Sequence, residues 1–229
     1  MRSLIFSLIA AASLLSGTTT SADTVFLLGG VGTDKQNFAS YTEELDAVVV
    51  FDSPSANPLT ANHTRQLDEY ARQVSNLLQN DRVVLMGYSV GGKFAAALAE
   101  RFPAIDKLVL IDPVDGPPPF SRVSERFPIF ADGESKREGL EVFIVDSEFG
   151  EDDGLLGASC VTSGLGGNHF NNYFGDLVVS YQTLSGAGHS DLVDPPLSFA
   201  LRTTCRPRGN FSVNRQNIGF EIKSFIARD

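Results

Sequence analysis

The chain has 229 residues, with 28 acidic against 18 basic side chains and a formal net charge of −10 at pH 7. That balance, with no basic run, excludes nucleic acid and electrostatic binding to anionic lipid, and leaves a neutral, greasy ligand open. There is no internal repeat and no low-complexity tail.

Met1-Arg2-Ser3 is a basic start, and Leu4 to Leu15 is an apolar run too short to span a bilayer. Thr20-Ser21-Ala22 offers small residues for cleavage. Residues 1–22 therefore read as a signal peptide and residues 23–229 as one domain with a full core. Export predicts entry into the secretory pathway. It also gives meaning to an even cysteine count: Cys160 and Cys205 are expected to form a disulfide. The loop closed would be about 45 residues, worth ~4 kcal/mol on the chain-entropy model. Asn62-His63-Thr64 and Asn210-Phe211-Ser212 are glycosylation sequons.

Thr24 to Leu28 is a buried strand, followed by Gly29-Gly30-Val31-Gly32, and Ala47 to Phe51 is a second strand. Asp52 to Asn62 is polar and proline-bearing, hence a loop. Thr64 to Gln79 is a helix, with Leu67, Tyr70, Ala71, Val74, Leu77 and Leu78 at helical period. Arg82 to Met86 is a third strand, and the helix formers from Gly92 to Arg101 follow after Gly87-Tyr88-Ser89-Val90-Gly91. Lys107 to Ile111 is a fourth strand, ended by Asp112-Pro113. Asp115 to Gly139 is a proline-rich insertion carrying Phe120, Phe127 and Phe130. Leu140 to Val145 is a fifth strand, Gly150 to Gly167 is glycine-rich and irregular, and Leu177 to Tyr181 is a sixth strand. Asn210 to Ala227 is a terminal helix. Continuous apolar strands alternating with helices predict a mainly parallel sheet covered on both faces, an α/β class.

Strand, Gly-x-Ser-x-Gly, helix is the setting of a nucleophile elbow, which lifts a serine hydroxyl above the sheet edge. Serine is a poor nucleophile at neutral pH unless a base takes its proton and an acid orients the base. Of the three histidines, His63 lies in a polar loop before the elbow, His169 in Gly-Gly-Asn-His-Phe, and His189 in the loop after the last strand. The chain order serine, acid, histidine selects His189. Asp112, Asp115 and Asp146 all stand at strand ends where the acid could lie, and topology alone leans to Asp146. An oxyanion hole needs two backbone N–H groups, expected from Val90 and from the loop after the first strand, near Gly30 or Val31.

The chain resembles the chlorophyllases, α/β-hydrolases that cleave the phytyl ester of chlorophyll. The resemblance rests on Gly87-Tyr88-Ser89-Val90-Gly91-Gly92-Lys93, Ile111-Asp112-Pro113-Val114-Asp115-Gly116, Asn168-His169 with Tyr173, and Gly188-His189-Ser190-Asp191. It implies an α/β-hydrolase fold in a single domain. It makes Asp112 the triad acid, since that aspartate opens the Asp-Pro-Val motif, and it implies hydrolysis of chlorophyll to chlorophyllide and phytol. No cofactor or metal is implied, since any magnesium arrives inside the pigment. An apolar cleft is needed for ring and chain, with Phe120, Phe127, Phe130, Phe170, Tyr173 and Phe174 as candidate walls. Where the family usually has His and Arg around the serine, this chain has Tyr88 and Val90, and Leu28 stands where a His is frequent. A chlorophyll substrate implies a plastid reached through the secretory route, or an extracellular or lumenal site, with peripheral contact to pigment-bearing membranes. A general carboxylesterase or lipase, or a non-catalytic pigment or lipid binder, would keep the same fold.

Overall fold

The structure, a computed structural model, describes residues 23–43, 45, 48–51, 63–79, 82–115, 134–135, 137–150, 160–161, 165–198, 202 and 205–228. The signal peptide at 1–22, the loop at 52–62 and the insertion phenylalanines Phe120, Phe127 and Phe130 lie outside the described residues.

Six strands form one sheet: β1 (Thr24–Leu28), β2 (Val48–Phe51), β3 (Val83–Tyr88), β4 (Lys107–Ile111), β5 (Glu141–Ser147) and β6 (Val178–Leu184). Their spatial order is β2-β1-β3-β4-β5-β6, and every neighbouring pair is parallel. The helices are α1 (Ala39–Thr42), α2 (His63–Leu77), α3 (Val90–Arg101), α4 (Gly167–Phe174) and α5 (Ser212–Ile226).

The apolar strand runs split by parity, because successive side chains point to opposite faces. Phe26 and Leu28, Val83 and Leu85, Leu108 and Leu110, Val142 and Ile144 face one core. That core is closed by Tyr70, Ala71 and Val74 of α2, Phe94, Ala95 and Leu98 of α3, and Phe170 and Phe174 of α4. The alternate residues Val25 and Leu27, Val84 and Met86, Val109 and Ile111, Phe143 and Val145 face a second core, against Tyr41 of α1 and Ile218, Ile222 and Phe225 of α5. A side chain fully buried in either layer contributes roughly 1.5–3 kcal/mol. Double-sided burial is why these strands read as unbroken apolar runs.

Three readings change. His63 opens α2 instead of lying in the preceding loop. The end of the irregular 150–167 stretch turns into α4, a helix with no capping side chain at Gly166 to announce it. The sixth strand runs on to Leu184 with alternating exposure, because β6 is a sheet edge and its outer residues need not be apolar.

Cys160 and Cys205 are disulfide-bonded, with Cα atoms 5.6 Å apart. Both sulfurs lie in the α5-side core, so the bridge joins the segment after β5 to the approach to α5. Among the described residues, no helix is long and apolar enough to cross a membrane.

Candidate active site

Parallel register brings three side chains to one level. Tyr88 of β3 pairs with Ile111 of β4, and Ile111 pairs with Val145 of β5. The next residue on each strand is therefore Ser89, Asp112 or Asp146, side by side at the carboxyl edge where open α/β sheets place their sites.

Ser89 caps α3 with φ 56° and ψ −131°, a left-handed conformation that costs a non-glycine residue free energy. Its neighbours hold it there. Ser89 N–H donates to the Ile111 carbonyl at 3.1 Å, and the Ser89 carbonyl accepts from Gly92 and Val114. A side chain at Gly91 would meet the Leu28 carbonyl oxygen at 2.2 Å, so only glycine lets α3 start this close to β1. Asp112 is likewise at positive φ (43°), with its N–H donating to the Val145 carbonyl at 2.6 Å. The two strained positions face each other across the β3–β4 boundary.

His189 arrives from the far edge of the sheet. It begins a 3-10 turn after β6, held from several sides. The Asp191 carboxylate accepts from the backbone N–H groups of Gly188 (3.0 Å) and Arg208 (2.8 Å). Arg215 of α5 donates to the Asp191 carbonyl and to the Asp194 carboxylate, which also binds Ser40. Tyr41 of α1 donates to the Leu192 carbonyl at 2.7 Å.

The result is a continuous relay. Ser89 Oγ lies 3.0 Å from His189 Nε2, and His189 Nδ1 lies 2.5 Å from Asp112 Oδ2. His189 and Asp112 are buried, while Ser89 is partly open to solvent. Asp112 also accepts from Ser147 N–H and Ser147 Oγ, both at 2.8 Å. Burial works to raise the Asp112 pKa, but the His189 imidazole and these donors outweigh it and hold the carboxyl below its ordinary value. An ionised acid, an imidazole in the required orientation and a partly exposed hydroxyl are the parts of a general-base nucleophile.

Gly30 packs directly on Ser89: a Cβ there would lie 2.7 Å from Ser89 Cβ. Val90 opens α3, so its N–H lies in the first turn, where a helix has no acceptor of its own. These are the two amides expected at an oxyanion hole.

Asp115 is turned away from the relay. It pairs with Lys93 Nζ at 3.1 Å and with His169 Nε2 at 3.2 Å. Burial lowers the Lys93 pKa and the Asp115 charge opposes that. His169 thus belongs to α4 and is hydrogen-bonded to the Asp115 carboxylate that pairs with Lys93. The aromatic residues of α4 divide. Phe170 and Phe174 are fully buried against the sheet, and the structure places them in the core instead of on an open wall, because α4 turns that face inward. Tyr173 is only partly buried, and its hydroxyl is hydrogen-bonded to Glu100.

Two residues were not found by sequence reasoning. Tyr88 is buried beneath the imidazole, its ring stacked on His189 at 4.8 Å and its hydroxyl donating to the His189 carbonyl at 3.0 Å. A large planar residue directly before Ser89 was the available signal. Ser147, with two bonds to Asp112, left none, since its partner lies 35 positions away. Among the described residues, no group of three or more His, Cys, Asp or Glu side chains could hold a metal ion.

A family model described as alpha/beta hydrolase fold matches residues 46–136, a stretch that holds Ser89 and Asp112 and stops short of His189. No curated protein matches the sequence. Among solved structures, the esterase domain of a Rhodothermus marinus protein is similar at 14% identity and a TM-score of 0.57, over 91% of this chain and 88% of that one. A structure from the work on LipS and LipT, two metagenome-derived lipolytic enzymes, is similar at 13% identity and a TM-score of 0.56, over 90% of this chain and 94% of that one. The chain has the α/β-hydrolase fold.

Proposed function

We propose that this chain is a serine carboxylic-ester hydrolase. The observation that carries the reading is the unbroken hydrogen-bond relay from Ser89 Oγ through His189 to Asp112. Ser89 attacks the ester carbonyl while His189 Nε2 takes its proton. The N–H groups of Gly30 and Val90 receive the negative charge that builds on the carbonyl oxygen. His189 returns the proton to the leaving alcohol, and an acyl-enzyme remains. Water, activated by the same imidazole, then releases the acid. Asp112 keeps its charge throughout and holds Nδ1–H toward itself.

We propose further that the ester is large and apolar, of the kind chlorophyllases cleave: the phytyl ester of chlorophyll. The acid position supports this. Topology alone leaned to Asp146, the motif to Asp112, and it is Asp112 that meets His189. The motif residues Lys93, Asp115 and His169 also join in one cluster, although they come from three separate motifs. The same proposal carries export by residues 1–22 and contact with pigment-bearing membranes. The competing reading is a general carboxylesterase or lipase, favoured by the esterase and lipolytic enzymes among the structural neighbours.

Incubating the purified protein with chlorophyll and, separately, with short-chain acyl esters tests both levels. Release of chlorophyllide with feeble turnover of short esters is expected. The reverse pattern would replace the chlorophyllase reading with the general esterase. No turnover of either, unchanged in Ser89→Ala, would leave a binder.

A further inference from the structure

Asp146 is a largely buried carboxyl for which the relay has no use. It sits at the end of β5, level with Asp112 at the end of β4, so the two carboxyl groups adjoin on neighbouring strands. Two ionised carboxylates brought side by side repel, and a proton held by one of them turns the repulsion into a hydrogen bond. Asp112 has the stronger claim to the charge. It accepts from Ser147 N–H and Ser147 Oγ, and it faces the His189 ring. The proton therefore resides on Asp146.

The surroundings of Asp146 are shaped for a carboxyl. Tyr181 of β6 donates its hydroxyl to Asp146 Oδ2 at 2.9 Å. Gly167 at the start of α4 donates its N–H. A Cβ on that glycine would come within 2.6 Å of Asp146 Cγ, so the helix can approach only with glycine there. A cavity of about 270 Å³, lined by Asp146, Gly150, Val161, Asn168 and Tyr181, lies against the carboxyl and gives water a place to exchange the proton.

We infer that Asp146 is a positioning residue: its carboxylic O–H donates to Asp112 and fixes the carboxylate that orients His189. This rests on the Ser89–His189–Asp112 reading above. The groups facing Asp146 are Asp112 and, behind it, His189, together with Tyr181 from β6 and the Gly167 amide and Asn168 from α4. Glu148 also borders the cavity, but its carboxylate is engaged by Ser185 and the Gly186 N–H. Burial, followed by the hydrogen bond and charge of Asp112, pushes the Asp146 pKa up to about 8. Above that pH the donor is lost and two like charges adjoin, which loosens the hold on the imidazole.

The test combines a spectrum with a pH profile. In the wild-type protein, the low-field proton resonance of His189 Nδ1–H should shift with an apparent pKa near 8. In Asp146→Asn, whose amide donates at every pH, that shift should be absent. Ester hydrolysis should follow: kcat/KM of Asp146→Asn stays within about threefold of wild type below about pH 7 and lacks the alkaline fall, whereas Asp146→Ala loses about tenfold or more. A wild-type resonance that is flat from about pH 6 to about pH 10 would overturn the inference without any variant. So would an Asn variant whose activity falls as far as that of Ala. Asp112→Asn separates the two levels: if it retains wild-type activity, the triad assignment itself fails.

Discussion

Lys107 supplies a prediction that can be worked through from the coordinates. It sits in β4 on the α5 side of the sheet, 3% exposed. Its Nζ donates to the carbonyls of Phe225 (2.7 Å) and Ile226 (3.1 Å), the last two of α5, and to that of Arg228 just beyond the helix. A helix C-terminus carries partial negative charge and unpaired acceptors, so a buried ammonium there serves as a cap. Lys107→Met keeps most of the volume and removes the charge and the donors. The lost charge–dipole attraction is worth about 1–2 kcal/mol, and the buried Ile226 carbonyl, left without its Lys107 donor, costs about 1–3 kcal/mol, while the Phe225 carbonyl keeps the Arg228 N–H. Relief from burying an ammonium offsets part of this, for a net loss of about 2–4 kcal/mol. For a domain of this size, that is a fall in Tm of about 5–15 °C. Urea unfolding followed by far-UV circular dichroism reads the same quantity as a shift in midpoint at constant slope. A Met variant within about 0.5 kcal/mol of wild type would refute the reasoning, since the desolvation cost would then have equalled the whole value of the cap.

Other outcomes follow from the site. Asp112→Asn should lower kcat by about 10⁴, because Asn cannot hold the imidazole tautomer that accepts the Ser89 proton; steady-state ester hydrolysis measures it. Gly91→Ala should yield little folded protein, since its Cβ would meet the Leu28 and Gly29 carbonyl oxygens at 2.2 and 2.5 Å, both backbone; soluble yield and circular dichroism decide this. Stability should fall as pH rises between Asp146's ordinary value of 3.8 and its folded value of about 8, because in that window only the folded chain binds the proton. In Asp146→Asn this component is absent, so its Tm should decline less than that of wild type over the same range.

How far the sequence revealed this arrangement depended on how local each signal was. The sheet was legible because β1, β3, β4 and β5 are buried on both faces and carry apolar runs that nothing interrupts. The edge strand β6 was legible only in its first half, where its outward residues happen to be apolar. Ser89 announced itself through the glycines its turn demands. His189 followed from chain order. Topology alone could not separate Asp112 from Asp146, since both end parallel strands at the same level; the Asp-Pro-Val motif pointed to Asp112, the carboxylate that His189 meets. Topology also did not show that the two aspartates adjoin at the sheet edge. The α4 rings illustrate the same limit: Phe170 and Phe174 differ from Tyr173 only in which side of the helix they occupy, and α4 itself was not foreseen.

The central claim is that Ser89 is a nucleophile made reactive by His189. Labelling with an alkyl fluorophosphonate, read by intact mass and peptide mapping, tests it most directly. The account predicts one adduct, on Ser89, formed within minutes by wild type, abolished in Ser89→Ala and strongly slowed in His189→Ala. An unlabelled wild-type protein, or an adduct that maps elsewhere and survives Ser89→Ala, would contradict it.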